Sequence, residues 1–404
     1  RQDMILVEST YDPVARRHGS SGAVLVVDLT ARAVRVEHLP ASVPEQFVGG
    51  RGIGLWLLWN AVTPSTAWHA PDNLLVFSAG PLAHVRAFTG SGKASVVTLS
   101  PLTGIPIDSS VGGNLGASLA ACGFDAMVVR GVCEVDAVLT LDGVRRCVRL
   151  VEDRAVPADT HEAAPYVAAR HGCAAGSVGS LSLVTAGRAS ASAAIACLTV
   201  SSADPARGTV RHRQAGRGGI GRVFHGKGLR AIVVSAPPST SARDANADQA
   251  AVVSLGRGVA REIRQQDDEQ NRVRKVGTTH LVEVMNAYGL MPVRNFQFGS
   301  DPAAERIAST AWAGRFEPGA PGDCSAGCQL ACDRRAAGHV VLTGPYRGLD
   351  VCIDGPEYST CAALGSNCGI FDREWILEAN FYCDTYGVDT VSFGAVCAFL
   401  MECW

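Results

Sequence analysis

The sequence predicts an α+β protein in which a β-rich N-terminal domain precedes an all-helical domain. Two observations predict this fold class. Between residues 23 and 236, short runs of Val, Leu and Ile alternate with glycine-containing turns, as in sheets. Beyond a stretch rich in Pro and Ser, apolar residues recur at helical spacing instead. Strands and helices segregated along a chain in this way are typical of α+β folds rather than of alternating βαβ units.

Each predicted strand of the first domain is a short run of β-branched or aliphatic residues bounded by turn residues. The first two flank Thr30-Ala-Arg32, as in a hairpin. Helices are expected near Leu55, near Leu115 and over residues 161–171. The strand candidates are residues 24–27, 34–37, 74–77, 95–98, 127–129, 137–140 and 232–234. The sequence shows no internal repeat among these elements.

The domain boundary is predicted from composition. Residues 237–245 have the Pro- and Ser-rich composition of a linker, so the first domain is expected at 1–236 and the second at 246–404. Helices of the second domain are predicted over residues 249–266, 278–288, 358–364, 373–386 and 390–404. The last of these ends without Gly, Asn or Lys, which predicts that the chain is truncated at its C-terminus.

Composition excludes several classes of partner. The formal net charge is −2 and charged residues make up 18%, so nucleic acid and anionic membranes are not expected as partners. No uninterrupted apolar run is long enough for a membrane span. The chain has 14 cysteines and no recognisable secretion signal, which predicts a reducing, cytoplasmic location.

Three cysteines, Cys324, Cys328 and Cys332, are closely spaced in the second half of the chain. In a reducing compartment such a group indicates a soft-metal site rather than a disulfide framework. The spacing leaves both zinc and iron open, because both metals accept thiolate sulfur.

Glycine-rich loops occur three times in the first domain, at residues 90–93, 109–114 and 213–217. The first ends in Lys93, and the last contains Arg213 and Arg217. Exposed backbone N–H groups beside a cation can bind phosphate. One such loop would be an ordinary turn, whereas three favour a ligand with several phosphates.

Of two nucleotide-binding motifs that the sequence suggests, the dinucleotide fingerprint is a weak match and the Walker loop is excluded. The segment Gly216-Arg-Gly218-Gly-Ile-Gly221 fits the dinucleotide fingerprint, but no preceding strand is visible in the sequence. A Walker loop at 87–94 would need Gly at position 87 and Ser or Thr at position 94, and both are Ala. Neither a Rossmann fold nor a P-loop is therefore predicted.

Two acidic segments of the second domain have structural interpretations beside functional ones. In residues 384–389, Gly387 is expected to end one helix in the left-handed conformation and Asp389 to cap the next. The two carboxylates of this segment, Asp384 and Asp389, could also accept hydrogen bonds from an N–H-rich heterocycle. Residues 354–357 read as a helix start, and a catalytic role for Glu357 is the alternative.

Taken together, the motifs resemble the aldehyde ferredoxin oxidoreductase family, the tungsten or molybdenum bis-pterin enzymes. The resemblance extends over nearly the whole chain, with the motifs in one order. They include Gly50-Arg-Gly-Ile-Gly54, Ala79-Gly-Pro-Leu82, Gly92-Lys93, Ser100-Pro-Leu-Thr-Gly104, Ala121-Cys-Gly-Phe-Asp-Ala-Met-Val-Val129, His212-Arg213-Gln-Ala-Gly216, Gly355-Pro-Glu-Tyr358 and Asp384-Thr-Tyr-Gly-Val-Asp389.

The resemblance implies roles for individual residues. Lys93 stands where the family usually has an arginine on a pterin phosphate. Backbone carbonyls at Ser110 and Gln214 would hold the Mg²⁺ that bridges two pterins. The implied phosphate cradle comprises Gly112, Gly113, Arg213 and Gly216; the implied pterin-binding turn comprises Asp384, Val388 and Asp389; and the implied 4Fe–4S ligands are Cys324, Cys328 and Cys332.

The chain departs from the family pattern at three places. Its first two cluster cysteines are separated by three residues rather than two. Ser359 occupies a position where the family commonly has a glutamate, which leaves Glu357 as the nearest candidate for a proton acceptor. Phe381 replaces the histidine of an interfacial iron site next to Glu378, so that site is not expected here.

The resemblance implies an oxidoreductase that converts an aldehyde to a carboxylate and passes electrons through an iron–sulfur cluster to ferredoxin. Tungsten and molybdenum both remain open as the metal. A homodimer is a further possibility that the family raises. Two alternatives stay open: a non-catalytic or split subunit that binds pterin or a partner protein, and a relative acting on another substrate, such as an aromatic acyl thioester.

Overall fold

A computed structural model describes residues 4–85, 87–172, 181–204, 209–237, 248–318, 324–325 and 328–404. The chain forms two compact units. The first extends to Gly258 and also includes Cys324 and Ser325. The second begins at Val259 and contains the rest of the chain to Trp404. Most of the predicted linker, residues 238–245, lies outside the described residues, and the predicted domain boundaries stay a prediction.

The described residues of the first unit up to Ser235 form two sheets and five α-helices. Its strands are β1 (Met4–Thr10), β2 (Ala23–Asp28), β3 (Ala33–His38), β4 (Leu75–Ala79), β5 (Ala94–Leu99), β6 (Pro106–Val111), β7 (Ala126–Arg130), β8 (Ala137–Asp142), β9 (Cys147–Glu152), β10 (Leu181–Ala186), β11 (Leu198–Asp204), β12 (Thr209–Ala215) and β13 (Leu229–Ser235). Its helices are α1 (Ser42–Phe47), α2 (Arg51–Trp59), α3 (Leu115–Ala121), α4 (Thr160–His171) and α5 (Ile220–Gly226).

The two sheets repeat one topology. One has the order β3-β2-β7-β4-β5-β6, and the other has β1-β9-β8-β13-β10-β11-β12. In each, a parallel pair (β2 with β7, β8 with β13) is flanked by antiparallel neighbours in the same order. In each, the last strand leads through a glycine-containing loop into a short helix and back to the parallel strand. The first unit is therefore an internal duplication that the sequence did not show.

Aliphatic side chains from both sheets form one shared core. Leu25, Phe77 and Met127 of the first sheet and Leu139 and Ile232 of the second belong to the same buried cluster. Burial of such side chains is the main stabilising contribution to a fold of this kind. The core fixes the strand ends, and with them the loops that follow the edge strands β6 and β12.

Every strand and helix predicted for the first unit is present, within a few residues of its predicted bounds. Six strands of the first unit were not predicted: β1, β6, β9, β10, β11 and β12. The expectation that no strand precedes Gly216 is wrong, because β12 does. Its sequence, Thr-Val-Arg-His-Arg-Gln-Ala, is polar because β12 is an edge strand. A Rossmann unit is still excluded, because β12 pairs antiparallel with β11 and is not joined to a parallel neighbour through α5.

The second unit is mainly helical. Its α-helices are α7 (Arg272–Val276), α8 (Leu281–Ala287), α9 (Tyr358–Thr360), α10 (Arg373–Tyr386) and α11 (Thr390–Cys403), and α6 (Gln249–Gln265) enters it from the first unit. Helix α9 continues into a π-helical turn, Cys361–Gly365. Short 3₁₀ turns occur at Thr278–His280, Pro302–Ile307, Ser309–Trp312 and Ser366–Cys368.

The expectation of an all-helical second domain needs correction. Strands β14 (Glu317–Pro318), β15 (Arg334–Val340) and β16 (Asp350–Asp354) form a three-stranded antiparallel sheet. The sequence pattern did not predict this sheet. Its central strand, β15, contains Arg, Gly and His rather than a run of β-branched residues. The α+β fold class is confirmed.

No helix within the described residues combines the length and the apolar composition that crossing a bilayer requires.

Candidate cofactor-binding site

The loop that ends in Lys93 lies directly against the first turn of α3. A Cβ atom placed on Gly116 would come within 2.7 Å of the Lys93 carbonyl oxygen and 2.8 Å of the Gly92 oxygen. Only glycine permits so close an approach of helix and loop. Gly92 itself has φ +85°, and the Lys93 side chain is exposed. The first predicted phosphate loop is thus fixed beside the helix that follows the second.

The second loop contacts both Arg213 and Cys324. A Cβ atom on Gly112 would lie 2.1 Å from the carbonyl oxygen of Cys324 and 3.5 Å from Cγ of Arg213. The Gly113 N–H donates to the same Cys324 oxygen at 2.8 Å. The aliphatic part of Arg213 and the backbone of Cys324 therefore both pack on this loop, within the first unit.

Ser110 and Gln214 occupy equivalent positions of the duplicated fold. Each is the last residue but one of an edge strand, Ser110 in β6 and Gln214 in β12. Ser110 is paired with Ser95, and Gln214 with Thr199. The two edge strands are in contact although they belong to different sheets. The structure therefore brings together two residues that lie far apart in the sequence.

Gly112 and Gly216 are equivalent in the same way, since each is the first residue after its edge strand. Around Gly216 there is open space, because a Cβ atom there would meet no described atom within 4 Å. Nearby, the buried Nε2 atom of Gln214 has no hydrogen-bond partner among the described residues. Open space beside Gly216 and an amide donor two residues away fit a bound polar ligand.

The first and third loops thus both lie beside the second, and the three loops carry the cations Lys93 and Arg213. Backbone N–H groups and guanidinium or ammonium groups are the usual ligands of phosphate in proteins. The pairwise equivalence of the loops fits a ligand with two similar halves. The residues present therefore fit a group that carries two phosphates.

The three cysteines are divided between the units. Cys324 is half-buried in the first, whereas Cys328 is buried and Cys332 half-buried in the second. No group of three or more His, Cys, Asp or Glu side chains is gathered as a metal site within the described residues. The chemistry of the donor set, three thiols, suits iron or zinc.

The backbone beside Cys332 is held by the buried side chain of Arg334. Its guanidinium donates to the carbonyl oxygens of Ala331 and Asp333 at 3.0 and 2.7 Å, and to that of Arg274 at 2.6 Å. Ala331 has φ +50°, an unfavourable conformation for a residue with a Cβ atom. The turn that presents Cys332 is thus maintained by its surroundings and not by local preference.

The turn after α10 has the predicted structure. Gly387 ends the helix with φ 71° and ψ 51°, and Asp389 caps α11 by accepting from the amides of Val391 and Ser392, both at 3.1 Å. The Val388 N–H donates to the carbonyl oxygen of Cys383 at 2.8 Å. The structural interpretation of this segment is confirmed, and its pterin-binding role stays a prediction.

Asn380 joins this turn to the segment that contains Glu357. Its side-chain amide donates to Asp384 Oδ2 at 3.3 Å and to the carbonyl oxygen of Asp354 at 3.2 Å. Glu357 stands directly before α9, as the predicted helix start requires. Its carboxylate accepts a hydrogen bond from the Thr278 hydroxyl, and that hydroxyl accepts from the Tyr358 N–H at 3.1 Å.

The carboxylate of Glu378 is engaged by hydrogen-bond donors of the protein. It accepts from the backbone amides of Leu342 and Thr343 at 2.8 and 2.7 Å and from the Thr343 hydroxyl. Nε2 of the buried His339 lies 3.5 Å from the same carboxylate. Burial alone would raise the pKa of Glu378, but these hydrogen bonds outweigh it and the pKa lies below its usual range.

His84 was missed by the sequence analysis. Both ring nitrogens are buried and make no hydrogen bond within the described residues. Burial, helped by the nearby Arg16 guanidinium, lowers the pKa of His84 to about 4. A single histidine in a loop gives no sequence signal that would have identified it.

Comparison with known families matches two descriptions in succession. "Aldehyde ferredoxin oxidoreductase, N-terminal domain" covers residues 24–236, and "Aldehyde ferredoxin oxidoreductase, domains 2 & 3" covers residues 254–404. The first match alone takes in more than half of the 404 residues.

Curated relatives agree with these matches. Tungsten-containing aldehyde ferredoxin oxidoreductases of Pyrococcus furiosus and Thermococcus kodakarensis are 31% and 32% identical over 389 residues, which is 95% of this chain and 59% of each relative. The WOR-like subunit of an aliphatic sulfonate oxidoreductase from Pyrococcus furiosus is 23% identical over 95% of this chain and 59% of its own length. The chain thus spans less than two thirds of the relatives it matches.

A solved structure shares the fold. The active-site complex BamBC of benzoyl coenzyme A reductase, in complex with 1,5-dienoyl-CoA, superimposes with a TM-score of 0.73 at 20% identity, covering 96% of this chain and 56% of that one. At this identity the likeness concerns fold alone. The matched descriptions and the relatives together place the chain in the aldehyde ferredoxin oxidoreductase family.

Proposed function

We propose that the protein is an oxidoreductase that converts an aldehyde and water to a carboxylate, releasing two electrons. The observation that carries the proposal is the duplicated edge of the first unit, where Ser110 and Gln214, and likewise Gly112 and Gly216, hold equivalent positions. A two-fold ligand with one phosphate near each loop matches this arrangement. A bis-pterin bridged by Mg²⁺ is such a ligand.

The chain's own residues would bind and orient the cofactor. Lys93 and Arg213 would neutralise phosphate charge, and the N–H groups around Gly113 and Gly216 would donate to phosphate oxygens. The carbonyl oxygens of Ser110 and Gln214 would face the Mg²⁺ ion, and the turn at Asp384, Val388 and Asp389 would accept from the pterin. When bound, tungsten or molybdenum in such a cofactor supplies two-electron redox chemistry.

An electron path out of the site is proposed through a 4Fe–4S cluster held in part by Cys324, Cys328 and Cys332. Support comes from the packing of the Cys324 backbone on Gly112, which puts the first cysteine beside the cofactor cradle. Arg334 would keep the turn before Cys332 in place. The acceptor is proposed to be ferredoxin or a similar carrier, and the location cytoplasmic.

Glu357 is proposed as the proton acceptor. A carboxylate can take a proton from attacking water near neutral pH, which Ser359 cannot do. The Thr278 hydroxyl, hydrogen-bonded to this carboxylate, would orient it. Glu357→Gln is expected to lower kcat strongly while leaving cofactor content unchanged.

The two alternatives rest on specific observations. The relative named for aliphatic sulfonate and the structural neighbour named for benzoyl coenzyme A favour a different substrate. Ser359 and Phe381, each at a position where the family commonly has a functional residue, favour a subunit that binds cofactor without turnover. A homodimer is compatible with each alternative.

The test is aldehyde-dependent reduction of ferredoxin or a viologen dye by the anaerobically purified protein. Lys93→Ala should lose pterin and activity together, and Lys93→Arg should restore both, because arginine keeps the cation. Lys275→Ala is the matched control, since Lys275 is an exposed lysine paired with Asp268 at 2.5 Å on the second unit. Full activity in Lys93→Ala would contradict the assignment of the cradle. A pterin-loaded protein without activity on any aldehyde would favour the non-catalytic alternative.

A further inference from the structure

The first unit contains a second polar cavity, of about 320 Å³, formed by side chains outside the proposed cofactor cradle. Its floor is one face of the strands β8, β9 and β1, to which Cys147, Arg149 and Val151 contribute alternate residues of β9. The end of α4 adds Arg170 and His171.

Three arginine side chains stand in the wall of this cavity. Arg145, Arg149 and Arg170 line it, and Asp142 is the carboxylate among the lining residues. The Asp142 carboxylate already accepts from the amides of Val144 and Arg145, both at 3.0 Å. Its charge is thus largely engaged by the backbone.

The acids that pair with two of these arginines do not line the cavity. Glu8 holds Arg149 through Nε at 2.8 Å, and the buried Asp153 holds Arg170 at 3.2 Å and His171 at 2.8 Å. Side-chain exposure is 3% for Asp153 and 4% for His171, so this part of the wall is rigidly built. Carboxylates placed behind guanidinium groups fix their orientation before a ligand arrives, which lowers the entropic cost of binding.

Arg145 is the third arginine that lines the cavity. Its side chain is 60% exposed, and its guanidinium comes no closer than 3.9 Å to the Asp142 carboxylate. Within the described part of the chain the Arg145 guanidinium donates no hydrogen bond. It is therefore available to a ligand that enters the cavity.

We infer that this cavity binds a small polyanion, whose charge is carried either by phosphate groups or by adjacent carboxylates. The guanidinium fork matches both groups through paired N–H···O bonds. The volume lies at the lower end of the range for small-molecule sites, so the ligand is a small metabolite rather than a dinucleotide. The inference is independent of the proposed redox function, because no residue of the cavity belongs to the cofactor cradle.

The experiment is calorimetric titration of the cofactor-loaded protein with pyrophosphate and, separately, with citrate. We expect binding of one of them, weakened about tenfold or more in Arg145→Ala because one charge-assisted contact is lost. Arg154→Ala is the matched control and should bind normally, because Arg154 is an exposed arginine of the same region that pairs with Glu152 and does not line the cavity. Arg145→Lys should give an intermediate affinity.

Lys93→Ala distinguishes the cavity from the cradle. Binding that survives in Lys93→Ala and is lost in Arg145→Ala supports the inference, with pyrophosphate pointing to a phosphate ligand and citrate to a polycarboxylate. Binding lost in Lys93→Ala but kept in Arg145→Ala would place the anion in the cradle and overturn it. Absence of binding of both probes at millimolar concentration would overturn it too. Arg145 is largely exposed, so its replacement leaves the fold intact, which circular dichroism checks.

Discussion

Gly112 and Cys324 are in direct backbone contact: a Cβ atom on Gly112 would lie 2.1 Å from the Cys324 carbonyl oxygen, to which the next amide, that of Gly113, donates at 2.8 Å. This contact joins the loop proposed to cradle a phosphate to the first proposed cluster ligand. A change at one residue must therefore affect the other. The contact also explains why residue 112 is glycine although its backbone conformation does not require one.

Gly112→Ala should displace the Cys324 segment and destabilise the first unit by roughly 1–3 kcal/mol, as overpacking typically does. Iron content should fall with it. Thermal unfolding and iron analysis of the variant measure both effects. An alanine variant with wild-type stability and iron would show that the contact has no role.

Gly216→Ala, unlike Gly112→Ala, should affect cofactor binding and not the stability of the fold. Because the space around Gly216 is open, the added methyl group should leave the stability of the cofactor-free protein within about 0.5 kcal/mol of wild type. It should nevertheless reduce pterin content, since the methyl group would occupy the cradle. Fluorescence of the oxidised, extracted pterin gives the readout. Normal pterin loading in Gly216→Ala would exclude this loop from the cradle.

Glu378→Gln should cost roughly 1–3 kcal/mol, because the backbone amide of Leu342 or Thr343 would lose a charged acceptor whose own side chain is buried. Glu374→Gln is the matched control on the same helix; that side chain is 42% exposed and should contribute under about 1 kcal/mol. Urea unfolding measures both. Equal losses in the two variants would contradict the assigned role of Glu378.

The stabilisation by Glu378 should also depend on pH. Since its folded pKa is lowered, the unfolded state binds the proton more readily, and the contribution is present above the unfolded pKa of about 4.3. It is lost as the pH falls through the folded pKa. The difference between wild type and Glu378→Gln should therefore shrink in acid, and a constant difference would contradict this.

His84 and His225 should lower the folding stability in weak acid, at a higher pH than the one at which Glu378 loses its effect. Burial is the main cause that lowers the pKa of each to about 4. The unfolded chain binds these protons near pH 6.5, so stability should fall as the pH drops from about 6.5 to 4. His84→Phe should flatten that part of the stability curve. Parallel curves for variant and wild type would show that His84 does not titrate as described.

Local signals made much of the fold predictable. Helix α10 was predicted with its observed ends because Asp372 caps it and Gly387 ends it, and both signals are local. Strands such as β2 and β5 were predicted because they are buried runs of aliphatic residues. Edge strand β12 and the sheet β14–β16 were missed because polar, partly exposed strands lack that pattern. Strands β9 and β10 were missed although they are largely buried, so burial alone did not make a strand recognisable.

The site was less predictable than the fold. The glycines and cations of the three loops could be selected as phosphate ligands from residue type alone. Their assembly depends on the duplicated topology, in which β6 and β12 meet although they are distant in sequence. Glu378 likewise contacts His339 and Thr343 through the tertiary fold, and no spacing in the sequence predicts these contacts.

Metal analysis of the protein, expressed from its complete reading frame and purified anaerobically from a host that makes the pterin cofactor, tests the central claim most directly. We expect tungsten or molybdenum together with about four irons per chain, as for one cubane cluster. Conversion of Cys328 to Ala should lower the iron and leave the tungsten or molybdenum in place. Protein that contains neither tungsten nor molybdenum, although the host supplies the cofactor, would contradict it.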